Sequence, residues 1–262
     1  AERFADHYTQ ATLFWNSLSM PEKKHLISAA HFELGKVEAK VVRERMVEQF
    51  NQVDNELAKQ VAMGIGVKQP SESMAPDISK SSPAVSMDNT VKNTIKSRRV
   101  AILADDGFNY DELMMVKNAL TEAGASCKIV SMFHGMLKGT NGKEVEVDKN
   151  HVSTASVLFD AVYVPGGERS VETLKTQGDA VHFVNEAFKH CKAVAALSEG
   201  VELFSESSIH GVSLAAKTSS GDIISEQGVV TAWRRVDLKA FAACFIEAIA
   251  RHRHWDREEK ES

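Results

Sequence analysis

Three short segments of this 262-residue chain carry side chains able to do chemistry. Ser198-Glu199-Gly200 follows the apolar run at 193–197 directly. A serine at a tight strand-to-helix turn is where a nucleophile elbow lies. The full Gly-x-Ser-x-Gly form is absent, because Ala196 stands where its first glycine belongs. His210 is the nearest downstream candidate base and His190 precedes the run. A serine without a base is a poor nucleophile near neutral pH. The other reading makes Ser198 a helix cap, with Gly200 easing the turn. Glu112 also has two readings. It is either a carboxylate facing a crevice or the last member of an Asn109-x-x-Glu112 capping pattern. If Glu112 and Glu199 both face the crevice, one of them has a raised pKa, since paired carboxylates resist sharing charge. Pro165-Gly166-Gly167 offers free amides that can cradle an anion or an oxyanion. It can equally be a glycine turn that permits tight packing. The glycine motifs that bind dinucleotides or nucleotide phosphates are absent.

These segments need a scaffold, and the chain from Arg98 onward supplies one. Apolar runs at 100–103, 127–132, 161–164 and 193–197 read as strands. Helical patterns at 110–123, 178–190 and 236–251 alternate with them, the last with a stripe of Phe241, Cys244, Phe245 and Ala248. Asn141-Gly142 between short apolar flanks is a hairpin signal. Strands alternating with helices of this length predict an α/β fold, a doubly wound parallel sheet covered on both faces. Sites in such sheets lie beyond the carboxyl ends of the strands. All three chemistry-bearing segments meet that condition.

Residues 1–66 read as all-helical. Ser19 and Glu22 form a capping box, with Pro21 in the first turn. A second helix is expected from about 36 to 50, and Asp54 caps a third that ends at Gly64. So few helices bury little by themselves and call for a partner surface. Residues 67–97 are rich in serine and carry Pro70, Pro76 and Pro83, which is linker composition. Such a stretch is either floppy or an ordered strap.

The chain carries 31 basic and 36 acidic side chains, so its balance gives no reason to expect nucleic-acid binding. No apolar run approaches the roughly 18 residues of a membrane span. Cys127, Cys191 and Cys244 form no zinc or disulfide framework; Cys127 begins a strand, Cys191 ends a helix and Cys244 lies on the buried stripe of the last helix, positions that favour a packing role over a reactive thiol. His252 and His254 are two apart and do not share a helix face, which disfavours a metal site. Trp255 beside them suits a subunit contact. The chain opens inside a helical pattern, so a fragment or processed form is expected, and localisation is unreadable.

The segment Val162-Tyr163-Val164-Pro165-Gly166-Gly167-Glu168-Arg169-Ser170 resembles the DJ-1/PfpI branch of the class I glutamine-amidotransferase-like fold, which is flavodoxin-like. The resemblance puts a glutamate soon after the first strand, matched by Glu112. It puts a nucleophilic cysteine, often followed by histidine and glycine, at the elbow now occupied by Ser198, Glu199 and Gly200. The cysteine is gone, so Glu112, Ser198 and Glu199 are vestigial positions and no catalytic residue is expected. Residues 1–66 resemble the helical segment that follows the haem barrel of catalases, through Phe14-Trp15-Asn16, Leu18-Ser19 with Glu22, Glu33-Leu34-Gly35-Lys36-Val37 and 61–66. Together the parts resemble the C-terminal region of a large-subunit monofunctional catalase.

That resemblance implies haem and peroxide chemistry in the barrel of the complete subunit, with no cofactor in this chain. Tyr8, Tyr110 and Tyr163 lack the Arg-x-x-x-Tyr context of a haem ligand. The implied partners are the parent barrel and sister subunits, in a dimer or tetramer. Four functional readings stand: an accessory region stabilising the tetramer, a holdase chaperone for unfolded client proteins, a residual hydrolase at Ser198 with Glu112 or Glu199, and a domain that shapes peroxide access to the haem of the complete subunit. The chaperone reading points to Phe4, Leu13, Phe14, Trp15, Phe32 and Phe50 as a client surface.

Overall fold

The computed structural model describes residues 6–218 and 221–261. The chain divides into two compact units, Ala1–Thr90 and Val91–Ser262.

The first unit holds four helices: α1 (Thr9–Ser17), α2 (Met20–Leu34), α3 (Lys40–Asn51) and α4 (Asn55–Gly64). Ser19 caps α2. Its backbone N–H donates to Glu22 Oε2 at 2.8 Å, and its side chain accepts from the Glu22 amide. Asp54 caps α4 through the Leu57 amide at 2.8 Å. The second predicted helix starts four residues later than expected. Gly35 closes α2, Lys36 and Val37 turn back onto Glu33 and Leu34, and Ala39 is extended. Leu57, Ala58, Val61 and Ala62 of α4 face Trp15, Ile27 and Val47 in a thin core. The serine-rich stretch lies on these helices. Asn16 Nδ2 donates to Ile78 O at 2.7 Å, Asn51 Nδ2 to Glu72 O at 2.9 Å, and Ser86 Oγ to Glu22 Oε2 at 2.8 Å. Such ties replace the water that an isolated polar strap needs for its backbone.

The second unit opens with β1 (Arg99–Leu103), α5 (Tyr110–Glu122) and β2 (Ser126–Ser131). The Asn141-Gly142 hairpin joins β3 (Met136–Lys138) to β4 (Glu144–Glu146), and β5 (Lys149–Asn150) follows. Next come β6 (Ala161–Val164), α6 (Glu168–Thr176), α7 (Gly178–Lys189), β7 (Ala193–Leu197) and α8 (Gly200–Ser205). The hairpin β8 (Ile223–Glu226) and β9 (Val229–Ala232) leads to α9 (Leu238–Ala250). The seven-stranded sheet runs β5-β2-β1-β6-β7-β9-β8. All neighbours are parallel except β8, an antiparallel edge strand on β9.

The five central strands have the flavodoxin-like order 2-1-3-4-5, with the switch point between β1 and β6. Alternate side chains serve opposite faces, as the strand repeat requires. Val100, Ile102 and Tyr163 pack with α5 and α9, while Ala101, Val162, Val164 and Val194 pack with α6, α7 and α8. Burial on both faces explains the unbroken apolar runs. Sequence patterning missed α1, α6, β5 and the β8–β9 hairpin as separate elements.

Candidate functional site

The loops after β1, β6, β7 and β9 meet at the switch point and line a depression of about 410 Å³. Asn109 begins the wall. Its Oδ1 accepts from the amides of Asp111 and Glu112, both at 3.2 Å, and so caps α5. The Glu112 side chain does not close a capping box. The Asn109 amide donates instead to Gly166 O at 2.7 Å, which frees the carboxylate for the crevice. Tyr163, fully buried in β6, donates its hydroxyl to Glu112 O at 3.2 Å and fixes the first turn of α5. Both sequence readings therefore hold in part: Asn109 caps, and Glu112 faces the crevice.

Ser198 sits at the elbow with φ +49°, a conformation that costs a residue with a Cβ. It does not cap α8, whose N-cap is Glu199 and carries no side-chain cap bond. Its hydroxyl donates to Glu112 Oε1 at 2.6 Å. The other oxygen, Oε2, accepts from the Gly166 amide at 2.7 Å. Glu199 Oε2 accepts from the Gly167 amide at 3.0 Å, and its Oε1 pairs with the Arg234 guanidinium. The predicted anion cradle exists, and the protein's own two carboxylates occupy it.

The pair titrates asymmetrically. Burial pushes the Glu112 carboxyl up, opposed by the Ser198 and Gly166 hydrogen bonds and reinforced by the Glu199 charge. Burial is also the largest single influence on Glu199, but the Arg234 hydrogen bonds and charge, with the Gly167 and Glu199 amides, together outweigh it and hold that carboxyl below the usual range. At Gly167, φ +116°, an added Cβ would stand 2.3 Å from Gly107 O. Only glycine lets the β6 loop approach the β1 loop this closely.

The candidate bases lie elsewhere. His210 Nδ1 engages Ser208 O and its ring packs edge-on against Phe188; His190 pairs with Glu186 at 3.3 Å. Neither lines the depression. A nucleophile here would have only Glu112 as its base, and a carboxylate is far too weak to ionise a hydroxyl. Ser198 is also only 2% exposed. Sequence reasoning missed Arg234, which follows the carboxyl end of β9. The rule that places sites beyond strand ends would have found it, had β9 been recognised.

The remaining predicted residues are structural. Burial pushes the Cys127 thiol to about 11 and the Cys191 thiol to about 12. Cys244 is half-buried and packs on the α9 side of the core. His254 is buried with Nε2 on Ala248 O at 3.0 Å. Trp255 is half-buried. Among the described residues, no group of three His, Cys, Asp or Glu is placed to hold a metal ion, and no helix is long and apolar enough to cross a membrane.

Residues 96–259 match the family described as "C-terminal domain found in long catalases", and residues 1–65 match "Catalase-related immune-responsive". The chain is 40% identical over 257 residues to Catalase-2 of Bacillus subtilis, covering 98% of this chain and 35% of that protein. It is 40% identical over 260 residues to Catalase HPII of Mycobacterium avium, with 98% and 36% covered. Against Catalase-1 of Neurospora crassa it is 32% identical over 273 residues, again with 98% and 36% covered. The chain thus spans about a third of the length of the curated relatives it matches. A doubly wound domain over 96–259, whose elbow serine bonds Glu112 and whose Glu199 pairs with Arg234, belongs to the family of C-terminal domains found in long catalases.

Proposed function

We propose that this chain is the non-catalytic C-terminal part of a large-subunit haem catalase and that it stabilises the parent tetramer. In this reading residues 1–66 are a catalase-type helical segment, 67–97 a linking strap and 98–262 a DJ-1/PfpI-like domain without its nucleophile. The observation that carries it is the self-occupied elbow. Ser198 donates to Glu112, and the amides of Gly166 and Gly167, which would stabilise an oxyanion, are taken by Glu112 and Glu199. An acyl-transfer site needs those donors open to the developing charge.

The tyrosines present do not fit a haem whose axial ligand is a phenolate facing the iron. Tyr163 is fully buried with its hydroxyl on Glu112 O, Tyr8 donates to Gln49 Oε1, and Tyr110 packs on Phe108 beneath the Lys143 ammonium. Peroxide dismutation is accordingly assigned to the barrel of the complete subunit, and the partners are that barrel and the sister subunits. Exposed Phe14 and Phe32, with Val41 and Val42, support a contact surface on the helical unit. The test is deletion of residues 98–262 from the full-length parent, with thermal inactivation and assembly mass as readouts. Faster inactivation or loss of the tetramer supports the reading; unchanged stability and assembly overturn it.

A holdase chaperone is the second reading, favoured by the same exposed Phe14 and Phe32. The client surface is narrower than the sequence implied. Trp15 is buried, Phe50 packs against the helical core, and Phe4 lies outside the described residues. Light scattering of a heat-aggregating client, with an inert protein of equal mass as control, separates this reading from a purely structural one. The hydrolase reading at Ser198 is tested by a fluorophosphonate probe.

A further inference from the structure

Among the described residues, Arg257 is a buried cation without an ion-pair partner. It is 8% exposed, in the short helix that follows α9. Its Nε donates to Gln227 O at 2.8 Å and its Nη1 to Phe188 O at 3.0 Å, while Nη2 has no hydrogen-bond partner. Among the described residues no carboxylate comes within ion-pairing distance of it. Buried charges are paired or coordinated in stable proteins, because leaving one alone is costly.

The surroundings deepen the deficit. Arg253, half-buried nearby, donates through its side chain to the His252 carbonyl at 2.9 Å. Lys192 is 3% exposed and donates to Ser156 O. Burial, with the positive charge around them, holds the neighbouring histidines neutral. Burial first, then Arg253 and Arg257 respectively, press His252 and His254 down to about 4. Arg257 also lines the wall of a cavity of about 510 Å³ between α7, the 208–211 loop and the C-terminal turn. The guanidinium stacks over the Phe188 ring at 4.5 Å, and His210 lies at the same wall. Among the described residues two carboxylates, Glu186 and Glu258, line the cavity and both are engaged. Glu186 pairs with Lys189 and His190, and Glu258 accepts the Cys191 thiol at 3.7 Å.

We propose that this cavity binds a small organic carboxylate with an apolar body, its acid group on Arg257 and its body against Phe188. A pocket with an aromatic wall and few convergent polar groups suits such a ligand, and a guanidinium is the side chain that best fits a carboxylate. The site is separate from the Glu112–Ser198 crevice and does not depend on the proposed role of the chain.

The test is fluorine NMR of 4-fluorobenzoate with the full chain, alongside thermal shift with benzoate, acetate and benzyl alcohol. The expected result is saturable broadening and a raised Tm for benzoate, with neutral benzyl alcohol bound at least about tenfold more weakly. Arg257→Gln weakens benzoate by a similar factor. Ser208→Trp, at the exposed mouth, blocks the cavity while keeping Arg257, and retains the parent Tm without ligand. The proposal is overturned if neither acid gives a saturable change, if the alcohol matches the acid, or if Ser208→Trp binds like the parent.

Discussion

Glu112 and Gly166 approach so closely that a methyl group on Gly166 would stand 2.7 Å from Glu112 Oε2, the oxygen that accepts the Gly166 amide. The same methyl would meet Ser198 Cβ at 2.7 Å. Gly166→Ala must therefore push the carboxylate off its amide or shift the elbow. Either route leaves a buried polar group short of a partner, so about 1–3 kcal/mol of stability should be lost. Denaturant unfolding measures it. A variant as stable as the parent would mean that the crevice yields freely and is not rigidly self-occupied.

Glu112 gives the second unit a pH dependence of unusual sign. Its folded carboxyl is raised above 4.5, with burial as the main cause. The folded state thus holds the proton after the unfolded state has released it. The contribution is fully present below about 4.5 and is lost as pH rises through the folded value. Glu199 behaves oppositely, contributing above 4.5 and losing that contribution as pH falls through its lowered folded value. Glu112→Gln removes the first effect. Its Tm relative to the parent should climb as pH rises above about 4.5 and level off once the folded Glu112 has ionised. A difference that stays flat over that range contradicts a raised Glu112.

Ser198→Ala deletes the donor to Glu112 Oε1 and keeps the strained backbone. A buried carboxylate deprived of one hydrogen bond costs about 1–3 kcal/mol. Calorimetry at neutral pH is the measurement, and no loss would mean that water replaces the hydroxyl. In the parent, a fluorophosphonate should leave Ser198 unlabelled, because its hydroxyl is committed and its amide donors are taken.

The thiols offer a fourth check. Burial holds Cys127 at about 11 and Cys191 at about 12, so almost no thiolate exists at pH 7.5. Iodoacetamide should modify these two only after denaturant is added, as peptide mass spectrometry will read. Rapid labelling of Cys191 in the native chain would show that the C-terminal turn opens.

What the sequence made legible was the part written in unbroken apolar runs. The strands β1, β6 and β7 are buried on both faces, so their periodicity and position coincide. Asn109 and Glu112 announced the start of α5, although capping alone could not say that the Glu112 carboxylate turns away to Gly166. Two elements near the site left weak traces. α6 starts on charged Glu168 and Arg169 and buries only Ser170, Val171 and Leu174. β8 is half-exposed, and its turn is Gln227-Gly228 in place of the usual Asn-Gly. Losing β9 hid Arg234, and with it the reason Glu199 stays ionised beside Glu112. The pairing of Ser198 with Glu112 spans 86 residues and depends on strand order, which local patterns do not encode.

The Gln227-Gly228 turn carries its own prediction. Both residues have positive φ, +48° and +75°, as a two-residue type I′ hairpin requires. A Cβ on Gly228 would lie 2.1 Å from the His254 ring. That ring cannot retreat easily, because it is 5% exposed and its Nε2 engages Ala248 O. Gly228→Ala combines backbone strain with a clash against a buried ring, and about 2–4 kcal/mol of destabilisation is expected. Gln227→Asn keeps the backbone carbonyl that Arg257 uses and suits positive φ better, so it should stabilise by a few tenths of a kcal/mol. Thermal unfolding of the two variants should therefore move in opposite directions. If Gly228→Ala unfolds at the parent temperature, the hairpin and the His254 contact are not coupled, and the C-terminal turn is held by other contacts.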